Sequence, residues 1–369
     1  MFEYSGSLHM HSKFSDGSGT VEEIAKYACE SNLDFIILTD HNTLKAKDKG
    51  FEKWYKKMML IVGYEVNDIK NRNHYLVFGT DKVVGSYEKL SDGDTGNRLS
   101  AIEYVKEIKK KGGIGFLAHP HEKRNKLPEL KAYPWTAWDS EDFTGIEIWN
   151  HMSEWAEGLD ESNKFQRFLH PLKSIIAPPE ETLLKWDELN KKRKVVAIGG
   201  IDAHAHKHNV MGIEFEIFGY KILFKSIRTH VFVEKEIKKG NAKNFESDKD
   251  QIIDALGKGR SFIVNNYYGS GTGFRFSADY NKVDYQMGDE IIFDKSDKSD
   301  KSDKIKNKKI ILKTKLPSIA KIKLIHNGKC IDESIGKDCV WESDETGTYR
   351  IEAWKDERGW IFSNHIRVS

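Results

Sequence analysis

The sequence predicts an α/β protein with a barrel-like set of parallel strands and helices, followed by a small antiparallel β domain. Over residues 1 to about 220, short apolar runs alternate with helix-like stretches, which is the pattern of parallel β/α units. Five of these runs end at a potential metal ligand, and the carboxyl ends of strands are where such barrels place functional groups. Beyond about residue 265, alternating strands and turn signals replace this pattern.

Each of these five predicted strands leads into an imidazole or a carboxylate. In an extended segment, residues two apart point to the same side, so both members of a His-x-His or Asp-x-His pair can reach one site. A further strand is predicted over 145–150 and ends in Asn150. The five strands and the groups that follow them are Leu8 with His9 and His11, 35–39 with Asp40 and His41, 60–64 with Glu65, 114–118 with His119, and 195–200 with Asp202 and His204.

Helices and loops are predicted between these strands. A capping box at 20–23 begins one helix, in which apolar residues recur at helical spacing. Residues 100–111 predict a second amphipathic helix. The Gly-, Asp- and Ser-rich stretch 87–97 is predicted as a loop. Residues 121–143, rich in Pro and Trp, form either a lid over the site or a packed excursion whose tryptophans bury themselves.

The domain boundary is predicted at residue 265, so that residues 1–265 form the barrel and 266–369 an antiparallel β-sandwich. Asn327-Gly328 is a hairpin turn signal within the second domain. The Ser-Asp-Lys repeats of 296–304 cannot bury themselves, and we expect a solvated, mobile hairpin loop there.

Composition and charge narrow the class of protein. The 369 residues are 38% hydrophobic and include nine Trp, which supports a barrel with a second module. A formal net charge of +2 with mixed signs gives no sign of a polyanion-binding surface, so nucleic acid is expected only as a short nucleotide substrate. The chain shows no CxxC pair, signal peptide or membrane span. We expect a cytoplasmic protein that acts on a small molecule, and its oligomeric state stays open.

The recurring imidazoles and carboxylates predict a site for several metal ions. Such ligands suit Zn²⁺, Mn²⁺ or Fe²⁺, and cations close together bind phosphate oxygens and generate hydroxide at neutral pH. A carboxylate can bridge two cations, and Glu65 and Asp202 are the candidates for this role. Asp40 is either a helix N-cap or a group that orients a neighbouring imidazole. His74 begins its strand, so by itself it is predicted to be structural.

Four motifs together resemble those of the PHP (polymerase and histidinol phosphatase) superfamily, in order and spacing, through most of residues 1 to 215. The resemblance implies a distorted (β/α)7 barrel, related to the TIM barrel, with two or three divalent metals at the carboxyl ends of the strands. The motifs are Leu8-His9-Met10-His11-Ser12 with Ser15-Asp16-Gly17, Leu38-Thr39-Asp40-His41, Ala118-His119-Pro120, and Gly200-Ile201-Asp202-Ala203-His204.

The resemblance also implies which residues share an ion. His74 enters the set because the family usually pairs a Glu with a following strand-borne His. Asp16 stands where some members have His, which shifts the preference toward harder metals such as Mn²⁺. Glu65, His119 and Asp202 become the predicted catalytic residues. The first metal would take His9, His11, Glu65 and Asp202, the second Glu65, His74 and His119, and the third Asp16, His41 and His204.

The C-terminal region resembles one branch of the superfamily, the carbaryl-hydrolase-like (CehA/McbA) metallohydrolases. Segments 257–262, 273–276 and 360–364 look like the β-domain signatures of that branch, and His365 stands where its members often have Pro. The branch contains at least one carbamate ester hydrolase. The resemblance therefore implies ester hydrolysis more generally than phosphate ester hydrolysis.

The preferred hypothesis is a metal-dependent phosphoesterase that hydrolyses a small phosphate ester with a metal-bridging hydroxide at a trinuclear site. Two alternatives stay open: a carboxylic or carbamate ester hydrolase that uses the same metals, and a non-catalytic metal-binding module. The ester hydrolase would have an apolar pocket lined by Trp135, Trp138, Trp149 and Trp155. Candidates that support the ligands or contact substrate are Asp40, His121, Lys123, Arg124 and Asn150.

Overall fold

Strands outnumber helices in the protein, whose computed structural model describes residues 1–90, 93, 95–126, 131–210, 213–293 and 309–369. The helices are α1 (Val21–Glu30), α2 (Lys45–Asp48), α3 (Ala101–Lys110), α4 (His151–Glu157), α5 (Lys164–Leu169), α6 (Glu180–Lys192), α7 (Tyr220–Leu223) and α8 (Phe245–Lys258). The strands up to residue 265 are β1 (Phe2–Leu8), β2 (Phe35–Leu38), β3 (Lys53–Tyr55), β4 (Met58–Val62), β5 (Tyr64–Val66), β6 (Tyr75–Phe78), β7 (Tyr87–Lys89), β8 (Thr95–Asn97), β9 (Ile114–Leu117), β10 (Gly145–Asn150), β11 (Val196–Gly200), β12 (Lys207–Val210), β13 (Ile213–Glu216), β14 (Ile227–Val233) and β15 (Ser261–Asn265). Those beyond it are β16 (Arg275–Tyr280), β17 (Val283–Gln286), β18 (Glu290–Ile291), β19 (Ile310–His326), β20 (Lys329–Ser343), β21 (Gly347–Lys355), β22 (Arg358–Ser363) and β23 (Ile366–Val368).

Two sheets carry the predicted ligands. In the first, β1 pairs parallel with β2 and β2 with β4, while β14 pairs antiparallel with β1. The second has the order β11-β10-β9-β6-β5, parallel from β11 to β9 and antiparallel from β9 to β5. Every residue of β2, β4, β6 and β11 is buried, as expected of continuous apolar strands that are covered on both faces.

The two sheets meet along two seams at the ends of their strands. Past the end of β1, Met10 forms a parallel bridge with Ala203, and the His11 N–H donates to the Ala203 carbonyl at 2.9 Å. Past the end of β2, His41 forms a parallel bridge with Glu65. Both seams lie at predicted ligands, so backbone pairing brings distant segments of the chain to one place.

The predicted strand over 60–65 is divided at Gly63 into β4 and β5, which belong to different sheets. A Cβ atom at this position would lie 2.4 Å from the Val77 carbonyl oxygen, so only glycine allows the chain to pass so close to β6. The Gly63 N–H donates to the Leu38 carbonyl at 2.8 Å, which keeps the broken strand attached to β2.

The stretch 87–97, predicted as a loop, contains a short hairpin of β7 and β8, so that prediction was wrong. Buried polar contacts form it: the Tyr87 hydroxyl donates to the Val84 carbonyl at 2.7 Å, and Asn97 Nδ2 donates to the same carbonyl at 2.8 Å. The glycines and aspartates of this stretch are typical of loops, and the sequence alone does not show these hydrogen bonds. The predicted mobile loop at 296–304 lies outside the described residues.

The first sheet continues into the C-terminal region. β15 pairs with β14 on one side and with β22 on the other, so the sheet crosses residue 265, where the domain boundary remains a prediction. Asn327 and Gly328, with φ of 51° and 83°, join β19 to β20 and confirm the predicted hairpin turn. In the described part of the chain, no helix is both long and apolar enough to cross a membrane.

Asn364 attaches the C-terminal region to β11, the strand that leads to Asp202. Its Oδ1 accepts a hydrogen bond from the Ala197 N–H at 2.7 Å, and its Nδ2 donates to the Ala197 carbonyl at 3.0 Å. The amide side chain thereby satisfies both backbone groups of this buried residue, as a neighbouring strand would. This contact gives a structural reason for the Asn at the end of segment 360–364.

A buried ion cluster fixes the same region to α6. Arg350 donates to both oxygens of Asp187 at 2.8 Å and to Glu352 at 2.6 Å, and bidentate contacts of this kind are strong and directional. His365 contacts Asp187 through its Nε2 at 2.8 Å. His365 is therefore part of the contact between α6 and the C-terminal strands.

Candidate metal centre

Three predicted ligands lie just past strand ends with a left-handed backbone. The φ angles are 62° at His9, 29° at His119 and 53° at Asp202. Non-glycine residues adopt such angles rarely, at about 1–3 kcal/mol each, and they do so mainly at functional sites. Backbone strain is thus concentrated where β1, β9 and β11 present their imidazole and carboxylate groups.

Four side chains form a buried group: His9, His11, Glu65 and Asp202. His9 Nε2 lies 3.1 Å from Glu65 Oε2 and 3.2 Å from Asp202 Oδ1, and His11 Nε2 lies 3.2 and 3.4 Å from the same two oxygens. Both imidazoles are 0% exposed, Glu65 is 1% exposed and Asp202 13%. These are the four residues that the resemblance assigns to the first metal.

A second set, the open group, consists of Asp16, His41 and His204. Asp16 Oδ2 lies 3.2 Å from His204 Nε2 and 3.7 Å from His41 Nε2. The exposed fractions are 42% for Asp16, 21% for His41 and 19% for His204. His11 belongs to this side as well, because its Nδ1 lies 3.7 Å from Asp16 Oδ1 while its Nε2 faces the buried group.

Glu65 faces a third cluster with its other oxygen. Its Oε1 lies 2.8 Å from His74 Nδ1 and 3.4 Å from His119 Nε2, while its Oε2 lies 3.6 Å from His41 Nδ1. The two carboxylate oxygens therefore face different imidazoles, which is the arrangement that a bridging ligand requires. His74 lies in the cluster, as the family resemblance implies and contrary to its structural interpretation from position alone. His41 also approaches this cluster, which the predicted ligand sets did not include.

The donor set fits divalent cations. Within the described residues, several buried ring nitrogens make no hydrogen bond, among them both nitrogens of His11, Nδ1 of His41 and Nδ1 of His119. Buried polar atoms are almost always paired, yet His11 only approaches carboxylate oxygens without hydrogen-bond geometry. A cation between imidazole nitrogens and carboxylate oxygens would satisfy both, and these ligand types suit Zn²⁺, Mn²⁺ or Fe²⁺.

The carboxylates determine the charge of the buried imidazoles. Burial opposes protonation of His11, but Asp202 and Glu65 outweigh it and raise its pKa to about 10. Burial likewise opposes protonation of His119, but Glu122 and Glu65 raise its pKa to about 9. Burial dominates at His41 and lowers its pKa to about 4. A cation that binds near pH 7.5 would displace protons from the first two imidazoles and not from the third.

Two residues of β10 connect ligands that come from different strands. Glu147 Oε1 accepts a hydrogen bond from His9 Nδ1 at 2.8 Å, and its Oε2 accepts from the His119 N–H and from Asn150 Nδ2, both at 2.9 Å. Asn150 Nδ2 also lies 3.4 Å from Asp202 Oδ2. Asn150 was among the predicted supporting residues, but Glu147 was missed. The signal was present, because an ionisable residue within an apolar run needs a buried partner.

Asp40 holds the loop after β1 and is hydrogen-bonded to no imidazole within the described residues. Its Oδ1 accepts from the Ser12 N–H at 2.7 Å and from Ser15 Oγ at 2.9 Å, and its Oδ2 accepts from Ser12 Oγ at 2.8 Å. Neither of the two predicted roles, helix N-cap or imidazole orienter, describes these contacts. Asp40 instead shapes the turn that carries His11 and Asp16.

The three predicted substrate contacts after His119 are each engaged by a neighbouring side chain. Their contacts are His121 Nδ1 with Thr182 Oγ1 at 3.0 Å, Lys123 with Glu181, and Arg124 with Glu122.

The described part of the 121–143 excursion both buries itself and covers a ligand. Trp135 is buried beside Tyr75, with ring centroids 6.1 Å apart. Tyr133 stacks on His74, with centroids 4.9 Å apart and an interplanar angle of 23°. Each of the two predicted alternatives therefore holds in part, since a packed segment also forms a wall against the site.

The four tryptophans of the predicted apolar pocket belong to one hydrophobic cluster or pack against it. A cavity of about 20 Å³ beside His119 is lined by glutamates, among them Glu122, Glu147 and Glu154, and by none of these tryptophans. The apolar pocket stays a prediction, and each indole packs against a different partner. These partners are Tyr75 for Trp135, His121 for Trp138, Phe362 for Trp149 and Phe218 for Trp155.

Comparison with known proteins finds a match to the family model of the PHP domain. Its profile matches residues 7–121, a range that contains seven of the nine predicted ligands and ends before Asp202 and His204. Uncharacterized protein MJ1587 of Methanocaldococcus jannaschii is 27% identical over 164 residues, which are 39% of this chain and 80% of that protein.

Solved structures with low sequence identity are also similar. A two-domain protein containing a predicted PHP-like metal-dependent phosphoesterase, from Bacteroides vulgatus, is 14% identical with a TM-score of 0.44, over 99% of this chain and 95% of that one. An amidohydrolase from Chromobacterium violaceum is 15% identical with a TM-score of 0.35, over 58% and 92% of the two chains. PsfC from Pseudomonas syringae is 11% identical with a TM-score of 0.35, over 69% and 97%.

Proposed function

We propose that this protein is a metal-dependent phosphoesterase that hydrolyses a small phosphate ester at a trinuclear site. The observation that carries the proposal is the convergence of nine imidazole and carboxylate side chains in three clusters. His11, His41 and Glu65 are shared between clusters. The PHP domain matched over residues 7–121 supports the proposal.

The buried group would hold one cation, Glu65 with His74 and His119 a second, and the open group a third. When bound, cations of this kind lower the pKa of water and neutralise phosphate oxygens. The protein supplies positions: Glu65 serves two clusters with its two oxygens, and the open group faces solvent, where a substrate enters. Tyr133 covers His74 and keeps solvent from that side of the cluster.

We also infer that the two sheets and their seams form the distorted barrel that the family resemblance implies. With β4 and β5 counted as one broken strand, the ring comprises β1, β2, β4–β5, β6, β9, β10 and β11. The bridges Met10–Ala203 and His41–Glu65 support closure. The C-terminal segments that resemble the carbaryl-hydrolase-like branch support placing the protein in that branch.

The test is an assay of purified protein loaded with Mn²⁺, Zn²⁺ or Fe²⁺ on a panel of phosphate monoesters and diesters. We expect turnover that depends on the metal and is absent from His9→Ala. Metal content measured on the same samples separates loss of metal from loss of activity. Stoichiometric metal without turnover of any phosphate ester would contradict the proposal.

A carboxylic or carbamate ester hydrolase is the second candidate. The observation in its favour is that Lys123 and Arg124, two of the candidate substrate contacts, are paired with Glu181 and Glu122. Neither cation is therefore free for an anionic substrate. Aryl acetates and aryl carbamates belong in the same assay panel. Turnover of these esters, without phosphatase activity, would select this candidate.

A further inference from the structure

We propose that Glu147 is a positioning residue for the metal ligands, which it holds together from β1, β9 and, through Asn150, the end of β11. The inference rests on the metal binding of the proposed function and deepens it. Glu147 is 1% exposed, and its three hydrogen bonds go to a ligand side chain, a ligand backbone and Asn150. Each of the three partners is a metal ligand or touches one, so the hydrogen bonds of Glu147 act on the site itself.

The first contact selects one nitrogen of His9 for the metal. An ionised carboxylate only accepts hydrogen bonds, so the 2.8 Å contact keeps a proton on His9 Nδ1. Nε2 is then the nitrogen available to a cation, and it is directed at Glu65 Oε2 and Asp202 Oδ1, 3.1 and 3.2 Å away. A carboxylate behind a ligand imidazole also raises its basicity and fixes its ring orientation.

The second oxygen acts on the backbone of His119 and on Asn150. The His119 N–H donates to Glu147 Oε2 in the segment where φ is 29°, so the contact stabilises an unfavourable conformation that presents this ligand. Asn150 Nδ2 bonds the same oxygen and lies 3.4 Å from Asp202 Oδ2. Because Asn150 holds Oδ2 of Asp202, the other carboxylate oxygen, Oδ1, faces His9 and His11.

The backbone at Gly200 lies so close to the Glu147 carboxylate that no side chain fits at that position. A Cβ at Gly200 would lie 2.0 Å from Glu147 Oε1 and 2.7 Å from His9 Cβ. Glycine at the end of β11 therefore allows the carboxylate and the imidazole to meet. Gly200, two residues before Asp202, therefore lies directly against the carboxylate of Glu147 and the side chain of His9.

The decisive variant is Glu147→Gln, because a glutamine has the same size and only one oxygen. It can accept from His9 Nδ1, or from the His119 N–H and Asn150, but it cannot satisfy both sides. The matched control is Glu154→Gln, which changes a glutamate seven residues later that bonds Trp149 and the backbone of Ile176 and Ala177. Both variants are compared with the wild-type full chain.

The readouts are Zn²⁺ affinity by chelator competition, and the tautomer of His9 in Zn²⁺-loaded protein labelled with ¹⁵N-histidine. For Glu147→Gln we expect a loss of affinity of about 10- to 100-fold and a changed or mixed His9 tautomer, against less than about twofold for Glu154→Gln. Asn150→Ser keeps a capping oxygen for α4 and loses the Nδ2 donor, so we expect a smaller loss in the same direction.

Folded Glu147→Gln protein with wild-type Zn²⁺ affinity and an unchanged His9 tautomer would overturn the inference. If Glu147→Gln does not fold, Asn150→Ser decides, and wild-type affinity in that variant would overturn the inference equally. Wild-type protein that binds no Zn²⁺ would instead contradict the proposed function. Wild-type protein that binds Zn²⁺ but hydrolyses no phosphate ester leaves the affinity comparison valid, so the two failures are distinguishable.

Discussion

The buried and open groups of the candidate metal centre differ in how the fold holds them. The buried group lies at the seam between β1 and β11, with strained backbone at His9 and Asp202 and with Glu147 behind His9. The open group has Asp16 on a solvent-facing turn, 42% exposed. The side chains are of the same types in both, so burial and hydrogen bonding distinguish the two halves.

The difference teaches that one site can combine a rigid half with an accessible half. Desolvated charges interact strongly and need fixed partners, which the buried group has in its two carboxylates. Exposed charges are screened by water and contribute little to stability. We therefore expect changes in the buried group to affect folding and metal binding together, and changes in the open group to affect chiefly metal content and activity.

Glu65→Gln should have the largest effect, because Glu65 serves the buried group and the His74–His119 cluster. It removes the carboxylate that faces five imidazoles, and breaking a buried charge pair costs about 3–5 kcal/mol. We expect the variant to lose most of its bound metal and to lose activity by at least about 100-fold. The expected effect is this large because removing a metal ligand costs more than removing a residue that supports a ligand. Metal analysis, thermal unfolding and the ester assay measure this.

Glu3→Gln is the control for Glu65→Gln, since Glu3 is 9% exposed, pairs with His230 and Arg275, and lies at the opposite end of β1. It should lower stability and leave metal content unchanged. Equal metal content in Glu65→Gln and wild type would refute the bridging role.

Asp16→Ala should lower activity and metal content without destabilising the protein. One metal equivalent should be lost, because Asp16 is the carboxylate of the open group. The free energy of unfolding of the metal-free protein should change by no more than about 0.5 kcal/mol, as for most surface substitutions. Urea unfolding and metal analysis test this, and a loss as large as that of Glu65→Gln would erase the distinction between the two groups.

Metal binding should release protons from His11 and His119 and none from His41. The pKa of His11 is raised to about 10 and that of His119 to about 9, so both carry protons at pH 7.5 and bind metal more strongly as the pH rises toward those values. The pKa of His41 is lowered to about 4, so it is neutral already. Calorimetry in buffers of different ionisation enthalpy should show release in wild type, and nearly as much in Asp16→Ala. Binding without proton release would contradict this prediction.

Glu154 should have the smallest effect, on the pH dependence of stability. Burial raises its pKa to about 7, above the value of about 4.3 in an unfolded chain. Protonation of Glu154 therefore stabilises the folded protein. This stabilisation is complete at low pH, where the unfolded chain is protonated too, and it is lost as the pH rises through 7. Glu154→Gln should flatten the decline in melting temperature between pH 5 and 8, measured in the metal-free protein. Parallel curves for variant and wild type would show that Glu154 is ionised throughout.

Much of the metal centre could be predicted from the sequence because ligands follow apolar strands. His9, His11, Glu65, His119 and Asp202 come after such runs, and the structure brings them together. Sequence position misled at His74, which precedes its strand and still contacts Glu65 because β5 and β6 pair antiparallel. It also misled at 87–97, where contacts of Tyr87 and Asn97 with one carbonyl form a hairpin.

Periodicity and residue type are properties of neighbours along the chain, and they suffice to predict strands, helices and the kinds of ligand. The contacts of Glu147 with His9 and His119, and that of His365 with Asp187, join segments 28 to 178 residues apart. The division of the ligands into a buried and an open group depends on distant segments in the same way. Desolvation and hydrogen bonding act between such segments only after the chain has folded. The tertiary structure alone therefore decides which imidazoles are protonated, which carboxylate is shared, and which side of the site meets solvent.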